Sequence, residues 1–283
     1  MRREDIQRLV AGATEDLVSA LEAGKSESLT RYLAAMGRFH DYSLGNAILI
    51  ALQRPSATHV AGYRAWQRLG RQVRKTERGI AIMAPILRRA DDDSEEDKVV
   101  AFKAAHVWDI EQTDGRPLPE FAKVEGNPSI HLEQLKAHIT GQGIDLAYSD
   151  SLGSAYGLSC GGKILIRPGL GPAEEFSVLV HELSHEMIHK QGQTEQKTSR
   201  KVREVEAEAV AFVVSQACGL DCGTAASDYI QLYDNGGKET LLASLERIHR
   251  TAREIIKAVT ASEGGGAETA SREASAGTTA VAA

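Results

Sequence analysis

Cysteine is scarce in this chain: Cys160, Cys218 and Cys222 are the three in 283 residues. A small, odd number makes no disulfide framework, which agrees with a reducing compartment. Cys218 and Cys222 stand four apart, as two ligands on one helix could. Gly219 lies between them and no second pair exists, so small buried side chains are the expectation. Long hydrophobic runs are missing too. No apolar stretch reaches the roughly 18 residues that a membrane span needs, and no membrane partner is expected. The start, Met1-Arg2-Arg3-Glu4-Asp5, enters a charged amphipathic pattern without the apolar segment of a signal peptide. The expected location is the cytoplasm. No segment repeats another.

What is present is the composition of a globular protein, 42% hydrophobic and 25% charged, in a length that suits two domains and a tail. The formal net charge of −6 conceals a division. Residues 1–90 carry 15 Lys/Arg against 8 Asp/Glu, and the remainder 18 against 31. The basic half points to a polyanionic partner.

Apolar residues at helical spacing predict helices over 4–23 and 26–38, and from Asp41-Tyr42-Ser43 to Arg54, where Pro55 stops the third. A short helix is expected over Gly62–Leu69. Two strands follow, Gly79–Pro85 and Val99–Asp109, rich in Val, Ile and aromatics. Between them runs Asp91–Asp97, which lacks the spacing and glycine of a calcium loop and reads as a solvated hairpin tip. Glycine and proline crowd into Gln112–Pro128, the expected linker, and place a boundary near 125. Beyond it come a helix over 131–140 and short strands over 145–148, 154–160 and 163–167, the last two joined by a Gly161-Gly162 turn. Helices over 172–190, 199–218 and 238–259 complete the pattern. From 261 onward the chain is Gly, Ala, Ser, Thr and Glu apart from Arg272, with no large apolar residue except Val281, the composition of a disordered tail. The expected class is α+β: an N-terminal domain over 1–125 with helices and a small antiparallel sheet, a C-terminal domain over 126–260, and a tail over 261–283.

The helix over 172–190 contains His181-Glu182-Leu183-Ser184-His185. Histidines at i and i+4 project from nearly one helical face, so both imidazoles can hold one Zn²⁺. Glu182 is turned about 100° from His181. It can reach a water on the metal without ligating the ion, the position of a general base. A catalytic zinc needs a third protein ligand. The next helix offers Glu204 and Glu208, again i and i+4. Either could complete the set, and the other could support a ligating histidine through its second ring nitrogen. Glu206 lies on another face, expected at solvent or beside a basic partner. His189 is a further histidine at i+4, expected at the edge of the core.

Nine basic residues lie between Arg54 and Arg89, opposed only by Glu77. Among them Arg64, Arg68, Arg71, Arg74, Lys75 and Arg78 are interleaved with Tyr63 and Trp66. Cations neutralise phosphates and aromatic faces stack on unpaired bases, the equipment of a sequence-tolerant single-strand binder.

The segments Tyr42–Ala47, Ala61–Lys75, Gly79-Ile80 and Val107-Trp108-Asp109-Ile110-Glu111-Gln112-Thr113 resemble the N-terminal domain of the ArdC-type antirestriction proteins. The resemblance extends over about residues 1–255. It implies a single-stranded-DNA-binding domain followed by a zincin-like, gluzincin-like metallopeptidase domain, more distantly similar to the ImmA/IrrE peptidases. The Glu-x-x-Ala pattern at Glu204-Val205-Glu206-Ala207, followed by Glu208, implies Glu204 as third ligand and Glu208 as its support. On this reading His181, His185 and Glu204 hold Zn²⁺, Glu182 is the catalytic base, and the partners are single-stranded DNA and a protein substrate on DNA. A non-catalytic protein that binds and protects single-stranded DNA, with a structural zinc domain, is the alternative.

Overall fold

The computed structural model describes residues 3–23, 27–88, 98–116, 128–153, 155–189, 199–220 and 237–261. The acidic segment 91–97, Cys222 and the tail from 262, each read above from composition, lie outside these residues. No described helix is long and apolar enough to cross a membrane. The chain forms two compact units. The first takes residues 1–15 and 41–121, the second residues 16–40 and 122–263. They differ from a single cut at 125 in that 16–40 goes with the second unit.

The first unit is a small antiparallel sheet dressed with helices. It contains the start of α1 (Arg3–Glu22), α3 (Leu44–Gln53), β1 (Val60–Ala61), α4 (Tyr63–Arg68), β2 (Arg71–Val73), β3 (Ile80–Arg88), β4 (Lys98–Asp109) and β5 (Thr113–Gly115). The main sheet has the order β1-β4-β3, and β2 pairs with β5 in a second ribbon. Ser43 caps α3, accepting from the Asn46 N–H at 3.3 Å.

Two side chains of α3, seven residues and about two turns apart, then behave as a substitute strand. Asn46 Nδ2 donates to the Met83 carbonyl at 2.8 Å and its Oδ1 accepts the Met83 N–H at 2.9 Å. Gln53 exchanges the same pair of bonds with Ala81, both at 2.9 Å. The free edge of β3 is thereby closed by amide side chains, which satisfies its backbone and blocks pairing with another chain. Ile6, Leu49 and Ala81 are buried together beneath this contact.

The segment Asp109–Gln112 is a lock. The Asp109 carboxylate is fully buried and accepts the N–H groups of Thr58 at 2.9 Å, His59 at 3.1 Å and Glu111 at 3.1 Å. Gln112 Oε1 accepts the Asp109 N–H at 2.9 Å, closing a capping box on the 3₁₀ turn Ile110–Gln112. Its Nε2 donates to Glu77 Oε2 at 3.0 Å and the Arg78 carbonyl at 2.9 Å. Sequence reading assigned the stretch after Gln112 to a linker. Its first three residues are instead β5, too short and polar to announce a strand, held by Arg71, whose guanidinium donates to Thr113 Oγ1 at 2.7 Å and to the Thr113 carbonyl at 2.9 Å.

The second unit packs α2 (Glu27–Arg38), α5 (Pro128–Gly141), α6 (Pro172–Ile188), α7 (Arg200–Ala217) and α8 (Gly237–Thr260) with a three-stranded sheet of β6 (Asp145–Tyr148), β7 (Gly157–Ser159) and β8 (Lys163–Ile166), in the order β6-β8-β7. β6 runs parallel to β8 and β7 antiparallel to it. Gly161 and Gly162, at φ +70° and +98°, make the β7–β8 turn that side chains would strain. α2 crosses α7 at Gly37, where a Cβ would stand 2.8 Å from the Val213 carbonyl oxygen. The core is aliphatic: Leu135, Ile139, Ile164, Ile166, Leu179, Leu183, Val210, Val214 and Ile255 are all buried.

Asp109→Ala leaves three backbone donors without their acceptor. It is expected to lower the stability of the first unit by about 3 kcal/mol, at roughly 1 kcal/mol for each abandoned donor, in urea denaturation followed by tryptophan fluorescence. A loss well under about 1 kcal/mol would contradict the lock.

Candidate metal centre

Gly171 caps α6 and Pro172 opens it, with Glu174 and Glu175 in its first turn, where the helix dipole favours acidic residues. Ser199 caps α7, accepting the Val202 N–H at 3.3 Å. Three donors meet between these helices. His181 Nε2 and His185 Nε2 lie 3.2 Å apart, and Glu204 Oε2 lies 3.6 Å from each. A point equidistant from the three is about 2.0 Å from every donor, the length of a zinc–ligand bond. Two imidazoles and a carboxylate are also a donor set of borderline softness suited to zinc and other divalent transition ions. Among the described residues, His181, His185 and Glu204 are the cluster whose atoms could hold one ion. Glu208 stands behind them, its Oε2 3.4 Å from His181 Nδ1. There it fixes the ring and leaves Nε2 pointing to the ion position.

The electrostatics follow from burial and crowding. His181 loses basicity by burial, but the Glu208 hydrogen bond and the charges of Glu182, Glu208 and Glu204 outweigh this and raise its pKa. Burial and the neighbouring His181 lower that of His185. The hydrogen bond to His181 lowers that of Glu208. Glu182 is buried, and desolvation holds its carboxyl above the usual range.

Glu182 and Glu186 form a second face of α6, turned toward β7. Gly157 lets that strand approach, since a Cβ there would come within 2.7 Å of Glu182 Cγ and 2.8 Å of Val178 Cγ1. Glu186 ties the hairpin down: its carboxylate accepts from Ser159 Oγ at 2.6 Å, the Gly161 N–H at 2.8 Å and the Gly162 N–H at 2.7 Å. Sequence reading did not single out Glu186 or Gly157. The available signal was the i, i+4 spacing of Glu186 from Glu182. The donors open into a cavity of about 880 Å³ between α6, α7 and residues 155–161, with Arg203 also on its wall.

Glu206, two residues from Glu204 and about 200° further round the helix, is fully buried. Arg247 of α8 donates to its Oε1 at 3.1 Å from Nε and 2.5 Å from Nη2, and Nη2 also reaches Ser244 Oγ at 2.9 Å. Of the two environments expected for Glu206, the basic neighbour is the one observed. His189 caps the end of α6 with Nε2 3.4 Å from Glu206 Oε2. Burial, His185 and Arg203 push its pKa down to about 4, so it stays neutral, outside the donor triangle.

In the first unit the basic residues divide. Arg64, Arg68, Lys75 and Arg78 are exposed, as is Tyr63. Arg71 is spent on β5. Arg74 Nη2 bonds Glu77 Oε1 at 2.9 Å and the Glu111 carbonyl at 2.5 Å, and Nη1 approaches Asp114 at 3.5 Å. Trp66 corrects the sequence reading: it is 2% exposed and its Nε1 donates to the Trp108 carbonyl at 2.8 Å. It anchors α4 to the sheet and has no face left for a base.

Fold and donor set together define an α+β protein whose second unit is built in the zincin manner around an HExxH helix. Residues 5–108 match the family described as the N-terminal domain of anti-restriction factor ArdC. The metal-free crystal structure of the antirestriction protein ArdC from plasmid R388 is similar, with a TM-score of 0.55 and 20% identity over 89% of this chain and 98% of that one. Its Mn(II)-bound structure gives 0.52 and 18%, over 91% and 99%. No curated protein matches in sequence. Residues 5–108 thus match the ArdC N-terminal domain, and the chain as a whole shares the fold of R388 ArdC.

Because Glu206 is buried, removing its partner leaves a bare charge in the core. Arg247→Ala is expected to destabilise the second unit by about 3–5 kcal/mol, and Glu206→Leu with Arg247→Met to recover most of that in thermal and urea unfolding. A single variant as stable as the parent would show that the pair does not hold α7.

Proposed function

We propose that this chain is a metal-dependent peptide hydrolase carried on a single-stranded-DNA-binding unit. The observation that carries the reading is the meeting of His181 Nε2, His185 Nε2 and Glu204 Oε2 beside the buried carboxylate of Glu182. His181, His185 and Glu204 would hold a divalent ion, with zinc first in view of the donors, and the ion would lower the pKa of a bound water toward neutrality and polarise a carbonyl. Glu182 takes the proton from the attacking water and delivers it to the leaving amine. Desolvation raises its pKa toward the range where it can do both. Glu208 holds the His181 ring in orientation. Among the described residues the outer edge of β7 has no strand partner in its sheet, and it borders the cavity, so an extended peptide can lie along it as an added strand. An extended polypeptide is therefore the favoured substrate class. The resemblance to R388 ArdC, whose metal-bound form contains Mn(II), supports a metal here and an antirestriction role.

A second reading rests on the exposed Arg64, Arg68, Lys75 and Arg78 with Tyr63: the first unit alone shields single-stranded DNA, and the metal unit is a scaffold. Both readings require single-strand binding, and they part at Glu182.

Glu182→Gln is expected to keep its metal and its DNA affinity and to lose at least about 100-fold in hydrolysis of a cleavable peptide found by library screening. Undiminished cleavage excludes Glu182 as the base. A parent protein that cleaves nothing while it protects DNA as well as the variant favours the second reading. Lys75→Glu with Arg78→Glu should weaken oligonucleotide binding and flatten its salt dependence by about 0.7 per lost phosphate contact. Affinity indifferent to both salt and these charges would remove the electrostatic basis of the DNA-binding unit.

A further inference from the structure

The first unit carries an aromatic group that joins Tyr63 of the basic segment to Trp108 and His106 of β4. In the β3–β4 ladder Ile80 pairs with Val107, so Gly79 faces Trp108, and on the other side Ala61 pairs with Trp108. The indole is thus flanked by a glycine and an alanine. A Cβ at Gly79 would fall 3.0 Å from indole Cε2 and Cζ2 and 2.9 Å from His106 Cβ. Only bare backbone fits under these side chains, and the indole rests against it. Tyr63 meets the indole edge-on, with centroids 6.0 Å apart and planes at 72°, and His106 stands 6.3 Å away at 40°. Tyr63 is 41% exposed, His106 is exposed and Trp108 half-buried. Aromatic rings that serve only to fill a core are not left open in this way, as Trp66 one helix turn from Tyr63 shows. The surroundings are cationic: Arg64 adjoins Tyr63, and the loop that leads into Gly79 presents Lys75 and Arg78, both exposed.

We propose that Tyr63, Trp108 and His106 form a platform on which unpaired bases of single-stranded DNA stack, with Lys75 and Arg78 receiving the phosphates. The inference rests on the single-strand-binding reading of this unit and names the residues that perform it. The platform stands on a sheet surface and its rings offer faces, which bases display only when they leave the duplex. Stacking on a π-face is sequence-tolerant, so the site takes single strands of any composition. Trp108 is therefore a DNA contact, next in the chain to the Asp109–Gln112 lock.

The test uses the full chain with fluorescein-labelled oligo-dT and a duplex of equal length. Tyr63→Leu and His106→Ala should each weaken oligo-dT binding about tenfold, and more together, with the salt slope unchanged and duplex binding unaltered. Tyr63→Trp and His106→Phe should retain affinity, which separates stacking from folding. Tryptophan emission should be quenched by oligo-dT in the parent and in Trp66→Phe, and not in Trp108→Phe. Parent-like oligo-dT affinity in the Tyr63→Leu, His106→Ala double variant, or quenching that persists in Trp108→Phe, would overturn the platform and leave single-strand binding standing. A parent protein that binds no oligo-dT at 50 mM salt would overturn both.

Discussion

The ion pair of the buried Glu206 with the partly exposed Arg247 is the constraint on which the candidate centre depends. A carboxylate with no exposure has few places to go in an aliphatic core, and the guanidinium of α8 supplies the partner. Because Glu206 lies roughly opposite Glu204 and Glu208 on α7, satisfying it sets the rotation of that helix. Glu204 then faces the histidines of α6, and Glu208 reaches His181 Nδ1. A rotation of one residue, about 100°, would withdraw both carboxylates and leave Glu206 uncompensated. The polar group in the core thus works as a device of orientation, one best-attested use of such groups.

The same logic recurs at the second face of α6. Glu186 accepts three hydrogen bonds from the β7–β8 hairpin, and Gly157 removes the side chain that would hold the strand away from Glu182. One helix therefore presents the donors His181 and His185 to α7 and the buried carboxylate of Glu182 to β7 within two turns. The first unit is organised differently, by amides and a carboxylate acting on backbone. Asn46 and Gln53 close the edge of β3, and Asp109 gathers three N–H groups. That economy leaves the rings of Tyr63, Trp108 and His106 free to face outward.

Much of this was legible in the sequence where a feature is local. The long helices follow from apolar spacing and from Ser43, Pro55, Pro172, Ser199 and Gly219 at their ends. His181 and His185 announce themselves because one helical face holds both, with Glu182 turned about 100° from His181, and Glu204 and Glu208 by the same i, i+4 spacing. Features created by distant partners were not legible. Thr113-Asp114-Gly115 is a strand only because Arg71–Val73 lies beside it. The basic residues looked alike until Arg71 and Arg74 were found bonded to the 111–116 segment. Trp66 and Trp108 could not be told apart by type: one is inside, and the other rests at the surface against Gly79, 29 residues away in the chain. Glu206 gave no sign of burial, since its partner stands 41 residues away.

The direct measurement is metal stoichiometry by elemental mass spectrometry on protein purified without chelators, beside His185→Ala and Glu204→Ala of verified fold. About one divalent ion per chain, lost in both variants, is the result this account predicts from three donors. A well-folded parent that carries no ion and cannot be loaded with zinc or manganese would contradict it.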